Sequence, residues 1–153
     1  MTAPEPQFDE LYRDIIVDHY RRPRHHGTLA APTQQAEGVN PVCGDEIRMD
    51  VSIHDAVIDG IAFDGQGCAI SQSSASMLTE RVQGHTIAET KDVIGKFRAM
   101  MVDGAAADSG LGDLVALEGV AQLPVRVKCA LLAWNVLQEA LQQAAPAAGK
   151  EPA

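Results

Sequence analysis

The chain has 153 residues, of which 46% are hydrophobic, 4% aromatic and 22% charged, as expected for one globular domain with a mainly aliphatic core. Twelve Lys and Arg against 21 Asp and Glu give a formal net charge of −9, which argues against a nucleic-acid partner because a phosphate backbone requires a basic surface. No apolar run approaches the roughly 18 residues of a membrane-spanning helix, and the N-terminus lacks the features of a secretory signal, so we expect a cytoplasmic protein without a membrane partner.

The first half of the chain predicts one helix followed by a β-hairpin. Hydrophobic residues recur at helical spacing over residues 8–20, and a loop rich in Pro, Gln, Ala and Gly follows. Alternation of apolar and polar residues then predicts strands at residues 47–53 and 57–63, which we expect to pair in antiparallel fashion. A third strand is expected near residues 38–42.

The second half predicts mainly helices. A helical face covers residues 69–82, and Thr86 with Glu89 forms the sequence pattern of a capping box at the start of the next helix. A short helix is expected at residues 111–120. Pro124 is well suited to the first turn of the last helix.

The three cysteines are the main candidates for a functional site. An odd number of cysteines in a reducing compartment argues against a disulfide framework. Gly44 separates Cys43 from Asp45 and permits an unusual backbone angle, so both side chains could face one metal. Together with Cys68 and Cys129 they offer three thiolates and one carboxylate, a suitable set for one tetrahedral ion, most simply Zn²⁺. Spacing alone leaves open that Cys68 and Cys129 are buried hydrophobic residues.

Two further residues on predicted helices, Arg126 and His19, are considered for a role in the site. Arg126 lies three residues before Cys129, so a helix would place both on one face, where Arg126 could orient or balance the site. His19 on the first helix is expected at the surface or partly buried, without a catalytic role.

Three motifs resemble the SufU branch of the NifU/IscU-like iron–sulfur cluster assembly family. They are Asn40-Pro41-x-Cys43-Gly44-Asp45, Gly65-x-Gly67-Cys68-Ala69-Ile70-Ser71 and Pro124-x-Arg126-x-Lys128-Cys129-Ala130. The resemblance implies an α+β fold in which a three-stranded antiparallel sheet packs against several helices. One domain is then expected at residues 1–145, with a disordered C-terminal tail at 146–153. IscU scaffolds carry a histidine where this chain has Lys128, and they lack the long connection found here at residues 103–120; both differences favour the SufU branch.

The resemblance also implies a function. SufU-like proteins bind zinc, and the four ligands here would be Cys43, Asp45, Cys68 and Cys129. Such a protein accepts sulfur from the persulfide of a PLP-dependent cysteine desulfurase of the SufS type, which donates a histidine to the zinc and releases one protein thiolate. By position that nucleophile is Cys43, with Arg126 as a second catalytic candidate, and downstream iron–sulfur assembly proteins would receive the sulfur. Whether such a carrier counts as an enzyme is left open.

Two alternatives use the same residues. An IscU-like scaffold would build an iron–sulfur cluster on these thiolates and transfer it. A noncatalytic, zinc-stabilised interaction module would need the ligands only for folding. The His-x-Glu with Cys-x-x-Cys pattern of zinc deaminases is absent, as is the Cys-x-x-Cys of dithiol redox proteins.

Overall fold

The computed structural model describes the backbone of residues 4–149 and the side chains of residues 10–143. Four α-helices, three strands and one 3₁₀ segment follow one another along this part of the chain. In order they are α1 (Pro4–Arg21), β1 (Gln34–Asn40), β2 (Asp45–His54), β3 (Val57–Gln66), α2 (Ala69–Val82), α3 (Ile87–Val102), the 3₁₀ segment (Ser109–Gln122) and α4 (Pro124–Gly149).

The three strands form one antiparallel sheet in the order β1-β2-β3. Asn40 at the end of β1 pairs with Asp45 at the start of β2, and the neighbouring Glu46 pairs with Gln66 at the end of β3. The β1–β2 loop and the β3–α2 junction therefore meet at the same end of the sheet. This register brings two sequence-distant cysteine motifs together.

The core lies between the sheet and the helices, and its centre is the contact of α4 with α2 and α3. Trp134 is fully buried and stacks on Phe97 with ring centroids 4.1 Å apart. The indole Nε1–H of Trp134 donates to Ser74 Oγ at 2.9 Å, and the Ser74 hydroxyl donates to the Ala130 carbonyl at 2.7 Å. The small residues of α2 thus let α4 approach closely and still satisfy the buried polar groups.

Most of the predicted elements are confirmed, with shifts at their ends. The hairpin, the helix at 69–82 and the capping box are present: Thr86 Oγ1 accepts the Glu89 backbone N–H at 3.0 Å, and Glu89 Oε1 accepts that of Thr86 at 2.9 Å. The strand predicted near residues 38–42 corresponds to β1, which begins earlier, at Gln34. The first helix, predicted over residues 8–20, begins at Pro4.

The short helix predicted at residues 111–120 is instead a 3₁₀ segment with a kink at Gly112. Gly112 has φ 63°, which interrupts helical geometry and prevents a continuous α-helix. At the other end of the chain, α4 extends to Gly149 and so enters the region predicted as a tail. Residues 150–153 lie outside the described part, and the domain boundary at 145 stays a prediction.

None of the helices in the described range 4–149 combines the length and hydropathy needed to cross a membrane.

Candidate metal centre

Cys43 and Asp45 are brought together by the loop at residues 41–44 that joins β1 to β2. Asn40 pairs with Asp45 across this loop. Gly44 has φ 72°, a left-handed conformation that glycine adopts without steric cost. A Cβ built on Gly44 would meet no atom within 4 Å, so the need for glycine is conformational rather than a matter of space. The two side chains share the site because the chain turns at residues 41–44.

Asp45 has the environment of a cation ligand. Its side chain is buried, with 1% of the residue exposed, and its Oδ1 accepts the Cys68 backbone N–H at 2.9 Å. Oδ2 is also buried, and it has no hydrogen-bond partner. A buried carboxylate oxygen without a partner is costly, so these residues fit a bound cation that would satisfy it.

Gly67 makes room for this carboxylate. A Cβ on Gly67 would lie 2.4 Å from Asp45 Oδ1 and 2.6 Å from Ser71 Oγ. Any larger residue at this position would therefore displace the Asp45 side chain or the start of α2. The glycine in the sequence motif thus has a direct role in shaping the site.

Cys129 reaches the site from α4. It is fully buried, and its Sγ lies 2.9 Å from Cys43 Sγ. The Asn40 amide Nδ2 donates to Cys129 Sγ at 3.8 Å, a contact that sequence reasoning missed although Asn40 belongs to the first motif. The ligand atoms of Cys43, Asp45 and Cys129 all lie within 4.8 Å of one another. The fold therefore brings together three of the four predicted ligands.

Cys68 lies beside this group rather than within it. It is the N-cap of α2, and its Sγ accepts the Ser71 backbone N–H at 3.5 Å. An electrostatic interaction still links it to Cys129.

In the absence of a cation, the surroundings of Cys129 disfavour its thiolate form. Burial is the largest cause that raises the pKa of the Cys129 thiol, and the neighbouring Cys43 thiol and Asp45 carboxylate raise it further. Arg126 is exposed, and its pKa is raised by a hydrogen bond with Cys129 and then by the charge of Cys68. The guanidinium thus lies close to the thiols, on the face that helical spacing predicts.

The histidines include one error of the sequence-based prediction. His19 was expected at the surface or partly buried, but it is fully buried, with Nδ1 2.7 Å from Ser76 Oγ. The physical reason is the run of small residues on α2, which allows α1 to pack closely against it. In the sequence, the serines of α2 were the signal that could have predicted this close packing and the burial of His19.

The chain is thus a small α+β domain with a candidate metal site, at which two thiols and a carboxylate with one unsatisfied oxygen meet. The sequence model of the NifU-like N-terminal domain family matches residues 11–146, so the chain belongs to this family.

Two relatives of this chain have names that describe different functions. The zinc-dependent sulfurtransferase SufU of Bacillus subtilis (strain 168) is 40% identical over 133 residues, which cover 86% of this chain and 89% of that protein. The iron–sulfur cluster assembly scaffold protein IscU of Streptococcus pyogenes serotype M1 is 40% identical over 143 residues, covering 92% and 89%.

A solved structure agrees with the fold. The crystal structure of SufU from Fervidobacterium islandicum AW-1, a putative iron–sulfur cluster assembly scaffold protein for the SUF system, superposes with a TM-score of 0.79. The two chains are 33% identical, and the match covers 84% of this chain and 94% of that one.

Proposed function

We propose that this protein is a zinc-dependent sulfur acceptor for iron–sulfur cluster assembly. It would take sulfur from the persulfide of a PLP-dependent cysteine desulfurase of the SufS type and pass it to downstream assembly proteins. The observation that carries the proposal is the cluster of half-buried Cys43 with buried Asp45 and Cys129, in which one carboxylate oxygen has no hydrogen-bond partner. The 40% identity to a zinc-dependent sulfurtransferase supports it.

The zinc ligands in this proposal are Cys43, Asp45, Cys129 and, as the fourth, Cys68. Three thiolates and one carboxylate suit Zn²⁺, and bound zinc would keep the thiols deprotonated at neutral pH. Without such a cation the buried Cys129 thiol holds its proton. Asp45 is a harder ligand than the sulfurs, and its Oδ1 is already held by the Cys68 N–H, so Oδ2 is the oxygen available to the metal.

Cys43 is the nucleophile in this proposal because it lies on a loop and is only half-buried, whereas Cys129 is fully buried on a helix. Its thiolate would attack the outer sulfur of the desulfurase persulfide. The sulfur–sulfur bond of the persulfide breaks, a persulfide forms on Cys43, and the desulfurase cysteine leaves as a thiolate. The open space beside Gly44 leaves room for the incoming group.

Arg126 would act as the cationic group of the same reaction. It is exposed and lies near the sulfurs, where it could balance the negative charge of the ligand set and attract the anionic persulfide. Its role is then electrostatic rather than that of a proton donor, since arginine stays protonated.

The surface next to Cys43 suits a protein partner. Val42 is 67% exposed and Val125 is 56% exposed, and with Pro124 and Lys128 they line a pocket of about 160 Å³. Large apolar side chains exposed next to a candidate reactive loop are typical of a docking surface. This supports the delivery of sulfur by direct contact with a desulfurase.

The proposal is tested by a desulfurase assay with metal quantification on native protein and Cys43→Ala. The native protein should contain one zinc per chain and stimulate the release of sulfur. Cys43→Ala should keep the native circular dichroism and lose the stimulation. Asp59→Asn is a surface control, since the half-exposed Asp59 carboxylate pairs with the exposed His54, and it should behave as native. Stimulation that persists in Cys43→Ala would contradict the assignment of Cys43.

The second candidate function is an iron–sulfur scaffold, which the 40% identity to an IscU scaffold protein favours. The same thiolates would hold the cluster. Iron with visible-light absorbance in the purified protein, instead of zinc, would favour this function.

A further inference from the structure

A second group of metal-binding side chains lies away from the cysteines. Among the residues whose side chains the structure describes, two groups of three have their ligand atoms within 4.8 Å of one another, and the second consists of His19, Glu80 and Asp113. They come from α1, α2 and the 3₁₀ segment respectively. Cys68 and Glu80 are twelve residues apart on α2, about 18 Å along the helix axis, so the two groups are separate.

We propose that His19, Glu80 and Asp113 bind one divalent cation through nitrogen and oxygen ligands. Such ligands lie about 2.0–2.2 Å from the metal and therefore roughly 3–3.5 Å from one another. His19 Nε2 is 3.0 Å from Asp113 Oδ2 and 3.8 Å from Glu80 Oε1. Only small side-chain shifts are needed for all three atoms to share one ion.

The surroundings of His19 support its role as a ligand. Its side chain is 1% exposed, and its Nδ1 lies 2.7 Å from Ser76 Oγ, which also accepts the Arg24 backbone N–H at 2.8 Å. A second acceptor position on Ser76 Oγ can take the Nδ1–H, and this leaves the Nε2 lone pair directed at the two carboxylates. A metal-bound histidine usually donates its other N–H in this way.

The two carboxylates provide charge and access. The side chains of Glu80 and Asp113 are 48% and 52% exposed, so an ion can enter from solvent and keep water molecules as further ligands. Arg24 is a competing cation, but its Nη2 pairs with Asp18 Oδ2 at 2.7 Å, and its Nε is 3.9 Å from the other Glu80 oxygen, Oε2. Glu80 Oε1 stays on the His19 side.

Cation binding at this second site would tie the 3₁₀ segment to α1 and α2. In the absence of a cation, an Nε2–H would donate to Asp113 across the same 3.0 Å. A bound cation would take the place of this hydrogen bond, with the imidazole proton then on Nδ1 toward Ser76 Oγ. The mixed nitrogen and oxygen set suits ions such as Mn²⁺, which the thiolate site binds poorly.

The test is a titration of zinc-loaded, full-length protein with Mn²⁺, followed by electron paramagnetic resonance of free Mn²⁺. Native protein should bind one Mn²⁺ saturably, and Asp113→Asn and Glu80→Gln should each weaken binding by about tenfold or more. Both positions are half exposed, so neither substitution should prevent folding. Asp59→Asn removes the carboxylate of the exposed His54–Asp59 pair and should leave the affinity unchanged.

Two further readouts locate the ion. Mn²⁺ should broaden nuclear magnetic resonance signals around His19 more strongly than those around Cys43, and it should raise the melting temperature of native protein but not of Asp113→Asn. The absence of saturable binding at millimolar Mn²⁺, or an unchanged affinity in either carboxylate variant, would overturn the proposal. The result does not depend on sulfur transfer, so the two proposals fail separately.

Discussion

Asp45 and Cys68 are joined by a hydrogen bond in which the Cys68 backbone N–H donates to Asp45 Oδ1 at 2.9 Å. This contact connects the start of β2 to the N-cap of α2, so two of the predicted ligand positions are held in fixed relation. It also occupies one carboxylate oxygen and leaves Oδ2 buried without a partner. The arrangement of the site thus depends on a side chain that is both a structural acceptor and a candidate ligand.

Asp45→Asn should separate these two roles. The Asn amide oxygen can still accept the Cys68 N–H, but the negative charge is lost. We expect the fold to persist and the affinity for zinc to fall by more than about tenfold. Competition with a chromophoric chelator measures this. The control is Asp59→Asn, which removes an exposed carboxylate. An affinity equal to native in Asp45→Asn would exclude Asp45 as a ligand.

Gly67→Ala should destabilise the protein by about 1–3 kcal/mol, because the new Cβ would lie 2.4 Å from Asp45 Oδ1 and force the carboxylate to move. Urea unfolding measures the change. Gly95→Ala is the matched control: Gly95 is on an exposed face of α3, its Cβ would meet no atom within 4 Å, and alanine favours a helix. Equal stabilities of the two variants would contradict the role given to Gly67.

The capping box of α3 should contribute to stability in a pH-dependent way. The hydrogen bond from the Thr86 backbone N–H is the largest cause that lowers the pKa of Glu89. Because the folded pKa is lowered, this contribution is present above the unfolded pKa of about 4.3 and is lost as the pH falls through the folded value. Thr86→Ala should cost about 1 kcal/mol at neutral pH, measured by urea unfolding.

Glu89→Gln tests the pH dependence itself. Its stability should vary less with pH in the acidic range than that of native protein, since glutamine does not titrate. Lys91→Gln, in the same turn of α3 but outside the capping box, is the control and should keep the native slope. A native slope in Glu89→Gln as well would show that Glu89 does not supply it.

Local patterns were sufficient to predict most of the fold. Alternation predicted the hairpin of β2 and β3, and the spacing of Thr86 and Glu89 predicted the start of α3, because both signals act over a few residues. The 3₁₀ segment was missed because its kink depends on the left-handed angle of Gly112, which no periodicity reports. β1 was placed too late because few of its residues are buried.

Only part of the candidate site could be predicted from the sequence. Residue chemistry and the family motifs identified the three cysteines and Asp45, but only the tertiary fold brings Cys129 to Cys43 across 86 positions. The unsatisfied oxygen of Asp45, the approach of Asn40 and the burial of His19 all depend on packing between distant elements. No sequence pattern carries that information.

The most direct test of the central claim is mass spectrometry of zinc-loaded protein after one turnover with a cysteine desulfurase and cysteine. The account predicts that the peptide containing Cys43 gains the mass of one sulfur atom, and that removal of zinc with a chelator greatly reduces this modification. A sulfur found on Cys68 or Cys129 instead, or undiminished labelling of Cys43 after zinc removal, would contradict it.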